Sequence, residues 1–325
     1  ARLCGCYTTI TSSHYTLAFE LEGSSCNSSL LIRVRVLIMT GKVAVVTGSN
    51  KGIGLATVKS LCSKFDGSVY LTARDVGRGL EAVEKLKKEG LNPLFHQLDI
   101  DDQKSIDDFA AHIKKEHGGL DILINNAAVL FMPGAPEPLE LQVVETLKTN
   151  YYALKNVCNA LFPLLRPHAR VVTLSSIAGH LERMVPGEEL RKKFADPDLT
   201  EEKLDQLMQD FVRDVKDGSY KEKGWPTVPY TAYAVSKVAA SALTRIQHQR
   251  FLKDPREDIV INHVHPGYVD TDLVGHQGPL TTDQGAVAPV YAALLPANCK
   301  SPRGDFIWHT KEIVDWVNGP CPSAW

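Results

Sequence analysis

Two side chains four positions apart, Tyr233 and Lys237 in the run YAVSK, are the residues of this chain best suited to moving a proton. In a helix, such positions share a face, one turn apart. A phenol titrates at about 10 in water, and a neighbouring ammonium favours its ionised form. That pairing makes tyrosine a usable proton donor to a carbonyl oxygen near neutral pH. The spacing alone also fits an exposed surface pair, so its meaning depends on what stands nearby. Ser176 ends a strand-like run, where it could hydrogen-bond the same oxygen or cap the strand end. Asn150, in the helical segment KTNYY, reads from its type as a buried polar brace.

A second constellation could hold phosphate. Residues 42–54 read KVAVVTGSNKGIG. Val43, Ala44, Val45 and Val46 form a short apolar run suited to a strand buried on both faces. Gly48, Gly52 and Gly54 follow, with Asn50, Lys51 and Ile53 between them, and a helical pattern starts at Ile53. A strand, a glycine turn and a helix start together aim backbone N–H groups from the positive end of a helix dipole. In this context the triplet reads as a dinucleotide site. The next strand-like run ends in Arg74, with Arg78 one helical turn beyond. An acid at that strand end selects NAD by its ribose hydroxyl, whereas positive charge selects the 2′-phosphate of NADP. Lys51, Arg74 and Arg78 therefore favour NADP(H) over NAD, unless they are only solvated surface cations. Asp75 could be the missing acid, but its place after Arg74 makes it a better N-cap for the following helix. Asp99, at a third strand end, suits a hydrogen bond to adenine or a simple cap.

The elements that must position these groups alternate. Strands are expected over 43–46, 68–73, 93–98, 121–124, 170–174, 259–264 and 306–308. Helices are expected from 53, and over 75–89, 101–117, 139–165, 230–251 and 283–295. Alternation implies a parallel, doubly wound α/β sheet with right-handed crossovers. Ligands in such sheets bind beyond the carboxyl ends of the strands. Gly48, Arg74, Asp99 and Asn126 all follow strand ends and should line one crevice.

The motifs TGSNKGIG, NNAA, KTN, SS, YAVSK and PGYVDTD, in this order, resemble those of the short-chain dehydrogenases/reductases. The stretches LTARDVGRG, FHQLDIDD and GGLDILINNA are similar to the monomeric carbonyl reductases among them. The resemblance covers about residues 40–316 and implies a single Rossmann domain. It implies that Tyr233 is the general acid and that Lys237 lowers its pKa and binds the nicotinamide ribose. Ser176 would orient the carbonyl, and Asn150 would hold a water that relays protons to Lys237. It further implies adenine contacts from Asp99 and Ile100 and a ribose contact from Asn126. Nicotinamide contacts would come from Pro266, Gly267, Val269 and Thr271. Ala128 stands where the family motif ends in glycine, with slight loss expected at worst. The activity implied is NADPH-dependent reduction of aldehydes, ketones and quinones. Competing readings are an alcohol or hydroxysteroid-type dehydrogenase using NAD or NADP, and a low-turnover NADP-binding redox-sensing partner. The complete Tyr, Lys, Ser and Asn set argues against the last.

Ser176 and Tyr233 stand 57 positions apart, leaving room for an insertion over about 180–228. Within it, Leu204, Leu207, Met208, Phe211, Val212 and Val215 form an apolar helical stripe over 199–216, which must be buried against something. In the carbonyl reductases such an insert covers the helices through which relatives dimerise, so a monomer is expected. The competing reading is a partner-binding or dimerising helix. Ala178, His265 and Tyr268 are candidates for the substrate pocket walls by position. His263 and His265 share a strand face, but no third ligand accompanies them, so no metal is expected. Tyr230 has Ala234 where a lysine would be needed.

Composition sets the remaining bounds. Of 325 residues, 44% are hydrophobic and 23% charged, as in globular enzymes. A net charge of −2 provides no basic field for nucleic acid or an anionic membrane. No apolar run reaches the ~20 residues of a membrane span. Seven cysteines without metal spacing fit reduced thiols in the cytoplasm. Residues 1–38, rich in Ser, Thr and Cys, read as a leader that is disordered or not part of the mature protein, with Met39 a natural start. Residues 39–325 read as the reductase domain.

Overall fold

The computed structural model describes residues 8–12, 15–24 and 31–322. The chain divides between Lys42 and Val43 into two units. In the first, β1 (Thr8–Ser12), β2 (Tyr15–Ser24) and β3 (Leu31–Thr40) pair antiparallel in the order β1-β2-β3. The leader expected over 1–38 falls on this unit, and its residues 1–7, 13, 14 and 25–30 lie outside the described residues.

The second unit is built on one sheet of eight strands. These are β4 (Lys42–Val46), β5 (Gly67–Ala73), β6 (Leu94–Gln97), β7 (Leu120–Asn125), β8 (Leu165–Leu174), β9 (Val260–Val264), β10 (Phe306–Ile307) and β11 (Ile313–Val314). Their order is β11-β10-β9-β8-β7-β4-β5-β6. The pairings β4–β7, β7–β8, β8–β9, β9–β10 and β5–β6 are parallel, and β11 adds an antiparallel edge that the sequence did not suggest. The order reverses at β4, which puts a ligand crevice beyond the ends of β4 and β7. The apolar run of β4 has a direct reason. Val43 and Val45 belong to the core on one face, Ala44 and Val46 to the core on the other. A strand packed on both faces cannot alternate with polar residues.

Helices α1 (Gly52–Lys64), α2 (Val76–Lys88) and α3 (Gln103–His117) follow the first three strands of this sheet. The expected helix over 139–165 is interrupted. It runs as α4 (Leu139–Leu147), a π-turn over Lys148–Ala153, α5 (Leu154–Leu161) and a 3₁₀ turn, and β8 already begins at Leu165. The insertion contains α6 (Leu181–Met184), α7 (Glu188–Ala195) and α8 (Glu201–Lys216), and α9 (Thr231–Phe251) follows it. The expected last helix splits into α10 (Thr282–Gly285) and α11 (Val287–Ala293). Pro289 explains the split, because it has no N–H to return to Gly285.

Helix α8 forms where the stripe predicted it. Thr200 caps it, accepting from the Lys203 N–H, and Glu201 and Glu202 occupy the positive first turn. Leu204, Leu207, Met208, Phe211 and Val215 are buried against α4 and α9 of the same chain. Phe211 lies 4.8 Å from the ring of Trp225. Asp214 then accepts from Trp225 Nε1 at 2.9 Å and Lys223 Nζ at 2.7 Å, which fixes the return of the chain toward α9. Among the described residues, no helix is long and apolar enough to cross a membrane.

Candidate active site

The glycine turn is held from below by the neighbouring strand. Gly48 and Gly52 have φ of +57° and +60°, conformations that side chains rarely adopt. Asn126, just past β7, donates both amide hydrogens, one to Thr47 O and one to Gly48 O, each at 2.9 Å. Its own N–H reaches Thr47 Oγ1 at 3.0 Å. The side chain therefore braces the turn, leaving its Oδ1 for the ribose contact expected of it. Lys51 precedes α1 without a side-chain cap, and no acid occupies the first turn. Those first N–H groups and the helix dipole face the crevice, a setting that favours an anion.

The crevice is a cleft of about 610 Å³. Of the expected residues, Gly48, Asn50, Lys51, Gly52, Ile53, Gly54, Arg74, Asp99, Ile100, Asn126 and Thr271 line it. Arg78 does not. It is exposed on α2, where its N–H is capped by Asp75 Oδ1 at 2.8 Å, as the sequence suggested for that acid. Lys51 is ion-paired with Asp272 at 2.5 Å, both side chains being largely exposed. Of the three expected cations, Arg74 and Lys51 line the cleft, Lys51 being shared with a carboxylate. Pro266, Gly267 and Val269 are not among its lining residues. Val269 bridges to Leu280, and a Cβ on Gly267 would fall 2.4 Å from Leu280 Cδ1. Asp101 and Thr149, missed by the sequence reading, also line the cleft and are joined by a 2.9 Å hydrogen bond from Thr149 Oγ1. Their 48-residue separation leaves no local pattern to find.

Ser176, Tyr233 and Lys237 come together where the end of β8 meets the start of α9, and Asn150 is joined to them through Ser236. Ser176 caps the short turn after β8, its Oγ accepting from the Ala178 N–H at 3.1 Å, and its hydroxyl is near enough to Tyr233 to favour the ionised phenol. Lys237 is buried, with Nζ donating to Leu174 O at 2.7 Å and lying 5.6 Å from the centre of the Tyr233 ring. Burial pushes Tyr233 up to about 12, against the influence of Ser176. Burial likewise lowers Lys237 to about 8. Desolvation is the larger cause at the phenol, so its pKa moves up and not down as the spacing suggested.

Asn150 lies in the π-turn, a feature frequent at functional sites. Its Oδ1 accepts from Val129 N at 2.8 Å, and its Nδ2 donates to Val129 O at 2.9 Å and Ser236 Oγ at 3.0 Å. The brace reading of its side chain therefore describes what it does here. His265, expected on the pocket wall, is instead buried at 1% exposure. Its Nδ1 accepts from Ile177 N at 3.0 Å and its ring packs on Trp308 at 4.3 Å, so it supports the Ser176 turn. Ala178 is buried within that turn, and Tyr268 is partly exposed with its hydroxyl 3.4 Å from Gln277 Oε1. No group of three His, Cys, Asp or Glu side chains among the described residues could hold a metal.

Residues 42–186 match the family model described as short chain dehydrogenase. The chain is 45% identical over 276 residues to "Carbonyl reductase [NADPH] 1" of Bos taurus, covering 84% of this chain and 98% of that one. It is 45% identical to "Carbonyl reductase [NADPH] 3" of Mus musculus, covering 85% and 98%. Among solved structures it is similar to salutaridine reductase from Papaver somniferum, with a TM-score of 0.71, 34% identity, and 82% and 99% coverage.

Gly54 provides a test of the cleft. A Cβ there would fall 2.5 Å from Asn126 Nδ2, 2.8 Å from Ser49 Cα and 3.0 Å from Gly48 O. Gly54→Ala should therefore distort the turn and weaken NADPH binding at least about tenfold, while leaving a folded protein. Fluorescence titration with NADPH alongside circular dichroism measures both, and unchanged affinity would contradict the assigned turn.

Proposed function

This chain belongs to the short-chain dehydrogenase/reductase family, and we propose that its Ser176–Tyr233–Lys237 cluster reduces carbonyl compounds to alcohols at the cost of NADPH. Aldehydes, ketones and quinones are the substrate class. The observation that carries the reading is the buried Lys237 ammonium, bonded to Leu174 O at the strand end that leads to Ser176 and 5.6 Å from the centre of the Tyr233 ring. Bound NADPH supplies the hydride to the carbonyl carbon. The residues of the chain do the rest. Ser176 and Tyr233 hold the carbonyl oxygen between two hydroxyls, and Tyr233 gives it a proton as negative charge grows there. Lys237 then stabilises the tyrosinate and holds the nicotinamide ribose. Asn150 keeps a water in reach of Lys237 for the return of the proton.

The glycine turn and the start of α1 take the pyrophosphate. Arg74 takes the 2′-phosphate, assisted by Lys51 when that lysine leaves Asp272. An exposed ion pair contributes only about 0–1 kcal/mol, so the exchange is cheap. Asp99 and Ile100 border the adenine. Ala178 and Tyr268 bound the substrate side.

We also infer a monomer working in the cytoplasm. The insertion covers α4 and α9 from within the same chain. Cys62, Cys158, Cys299 and Cys321 are free thiols, which a reducing compartment maintains.

Tyr233→Phe should abolish carbonyl reduction with NADPH, losing at least about a hundredfold in kcat, while NADPH binding stays nearly unchanged. Normal turnover by that variant would refute the mechanism. The pH profile should carry one signature of Lys237. Its folded pKa is lowered to about 8, so the ammonium is present below that pH and lost as pH rises through it. Tyr233, pushed up to about 12, keeps its proton throughout this range. For reduction, kcat/KM for NADPH reports the free enzyme and should fall above pH about 8. A flat profile from pH 7 to 10 would remove the ammonium's role. Sedimentation equilibrium of the purified chain should give one protomer mass at micromolar concentration, and recovery in the soluble fraction of lysed cells should accompany it. A stable dimer would show that the insertion leaves the paired helices free.

A further inference from the structure

One carboxylate of the insertion grips the turn that carries Asn150. Asp205, on the second turn of α8, accepts from the Tyr151 hydroxyl at 2.8 Å and from Lys155 Nζ at 2.6 Å, both through Oδ1. Tyr151 is fully buried and is the residue after Asn150 in the π-turn. Lys155 lies just beyond it in α5, and its side chain is 15% exposed against 26% for Asp205. The carboxylate is thus a partly buried acceptor for two donors that bracket one side of the turn. A π-turn departs from the better hydrogen-bond geometry of the α-helix, so bonds from outside help to decide whether it holds.

From that turn the path continues to the chemistry. Asn150 holds both backbone polar atoms of Val129, a residue of the cleft wall. Its Nδ2 also donates to Ser236 Oγ, and Ser236 Oγ donates to Tyr233 O at 2.8 Å. Ser236 lies between Tyr233 and Lys237 on α9. Hydrogen bonds and one peptide link therefore run without a break from Asp205 through Tyr151, Asn150 and Ser236 to the backbone of Tyr233. We propose that Asp205 is a positioning residue for carbonyl reduction, through which the insertion aligns Asn150, the Val129 wall and Tyr233. The inference rests on the reading of Tyr233 and Asn150 given above. It gives the insertion a second task beside covering α4 and α9. Misplacing reacting groups by as little as ~1 Å can cost up to ~10²-fold in rate, so a remote carboxylate acting in this way has a measurable effect.

The experiment compares Tyr151→Phe, Asp205→Ala and the double variant, with Asn150→Ala and Tyr233→Phe alongside. For each, kcat with a fixed quinone substrate, KM for NADPH and the melting temperature are measured. Each single variant should lose about tenfold in kcat, with KM for NADPH within about twofold of the parent. The double variant should be no slower than the worse single one, because both break the same path. If both single variants keep full kcat and lose only melting temperature, Asp205 merely secures the fold and the proposal is overturned. Should Asp205→Ala fail to fold, Tyr151→Phe, which removes one hydroxyl, decides alone by the same criterion. If Asn150→Ala or Tyr233→Phe retains the parent kcat, the reading of the site itself has failed and the proposal falls with it. That outcome is distinct from an effect confined to position 205.

Discussion

A lysine ammonium at 5% exposure is the constraint from which the rest of the site follows. Removing an amine from water disfavours its charge, and here that lowers the pKa from 10.5 to about 8. The charge survives at neutral pH with an acceptor in reach, the carbonyl of Leu174 at the end of β8. Strand end and helix must therefore approach closely, and the sequence around both allows it. Ser175 Oγ lies 2.7 Å from Ser241 Oγ and 3.3 Å from Lys237 O, tying the strand end to α9. Gly179 passes so near that a Cβ would meet Ser175 Oγ at 2.2 Å and Lys237 O at 2.8 Å. The same closeness brings Ser176 to the Tyr233 hydroxyl. Proton donor, orienting hydroxyl and charge thus share one packed junction.

Burying that junction requires cover on every side of α9. Of its 21 residues, 16 are buried, including Ser236, Ser241 and Thr244. A helix buried on all faces is enclosed by protein and needs small residues where neighbours come close. The run of alanines and serines in α9 meets that need. The sheet closes one side, and α4 and α8 close much of the other. Because α8 comes from the insertion, the enclosure is completed within one chain. Its apolar stripe and its acid at position 205 serve the same end, one by excluding water and the other by pinning the π-turn.

How much of this could be read from the sequence follows from how local each cause is. The strand, glycine turn and helix of residues 42–64 were legible because burial on both faces and phosphate geometry leave a continuous pattern. So was the pair Tyr233 and Lys237, since a helix fixes their relation. The stripe of α8 announced its burial, though not what it would pack on. The π-turn was not legible, because one extra residue per turn alters no composition, and its bonds run to Val129, Ser236 and Asp205. The break at Pro289 was visible in principle, as a missing N–H inside a helical pattern always is. His265 was misplaced for another reason. Position on a strand gives its face but not its layer, and this face of β9 packs on the aromatic rings of Phe306 and Trp308.

Charge is where sequence position misleads most. Lys51, Arg74 and Arg78 stand close to one expected phosphate along the chain, yet the surroundings of Lys51 are set by a segment far away. Asp272 reaches Lys51 from 221 positions on, in a loop whose His276 also bridges Asp270 and Asp272. Arg78 is exposed on α2, whose start Asp75 caps, and is not among the residues lining the cleft. Arg74 differs because it follows the last residue of β5, and the strand itself aims that position at the crevice. A cation fixed by a sheet is a stronger basis for recognising a phosphate than two more that depend on loop and helix geometry.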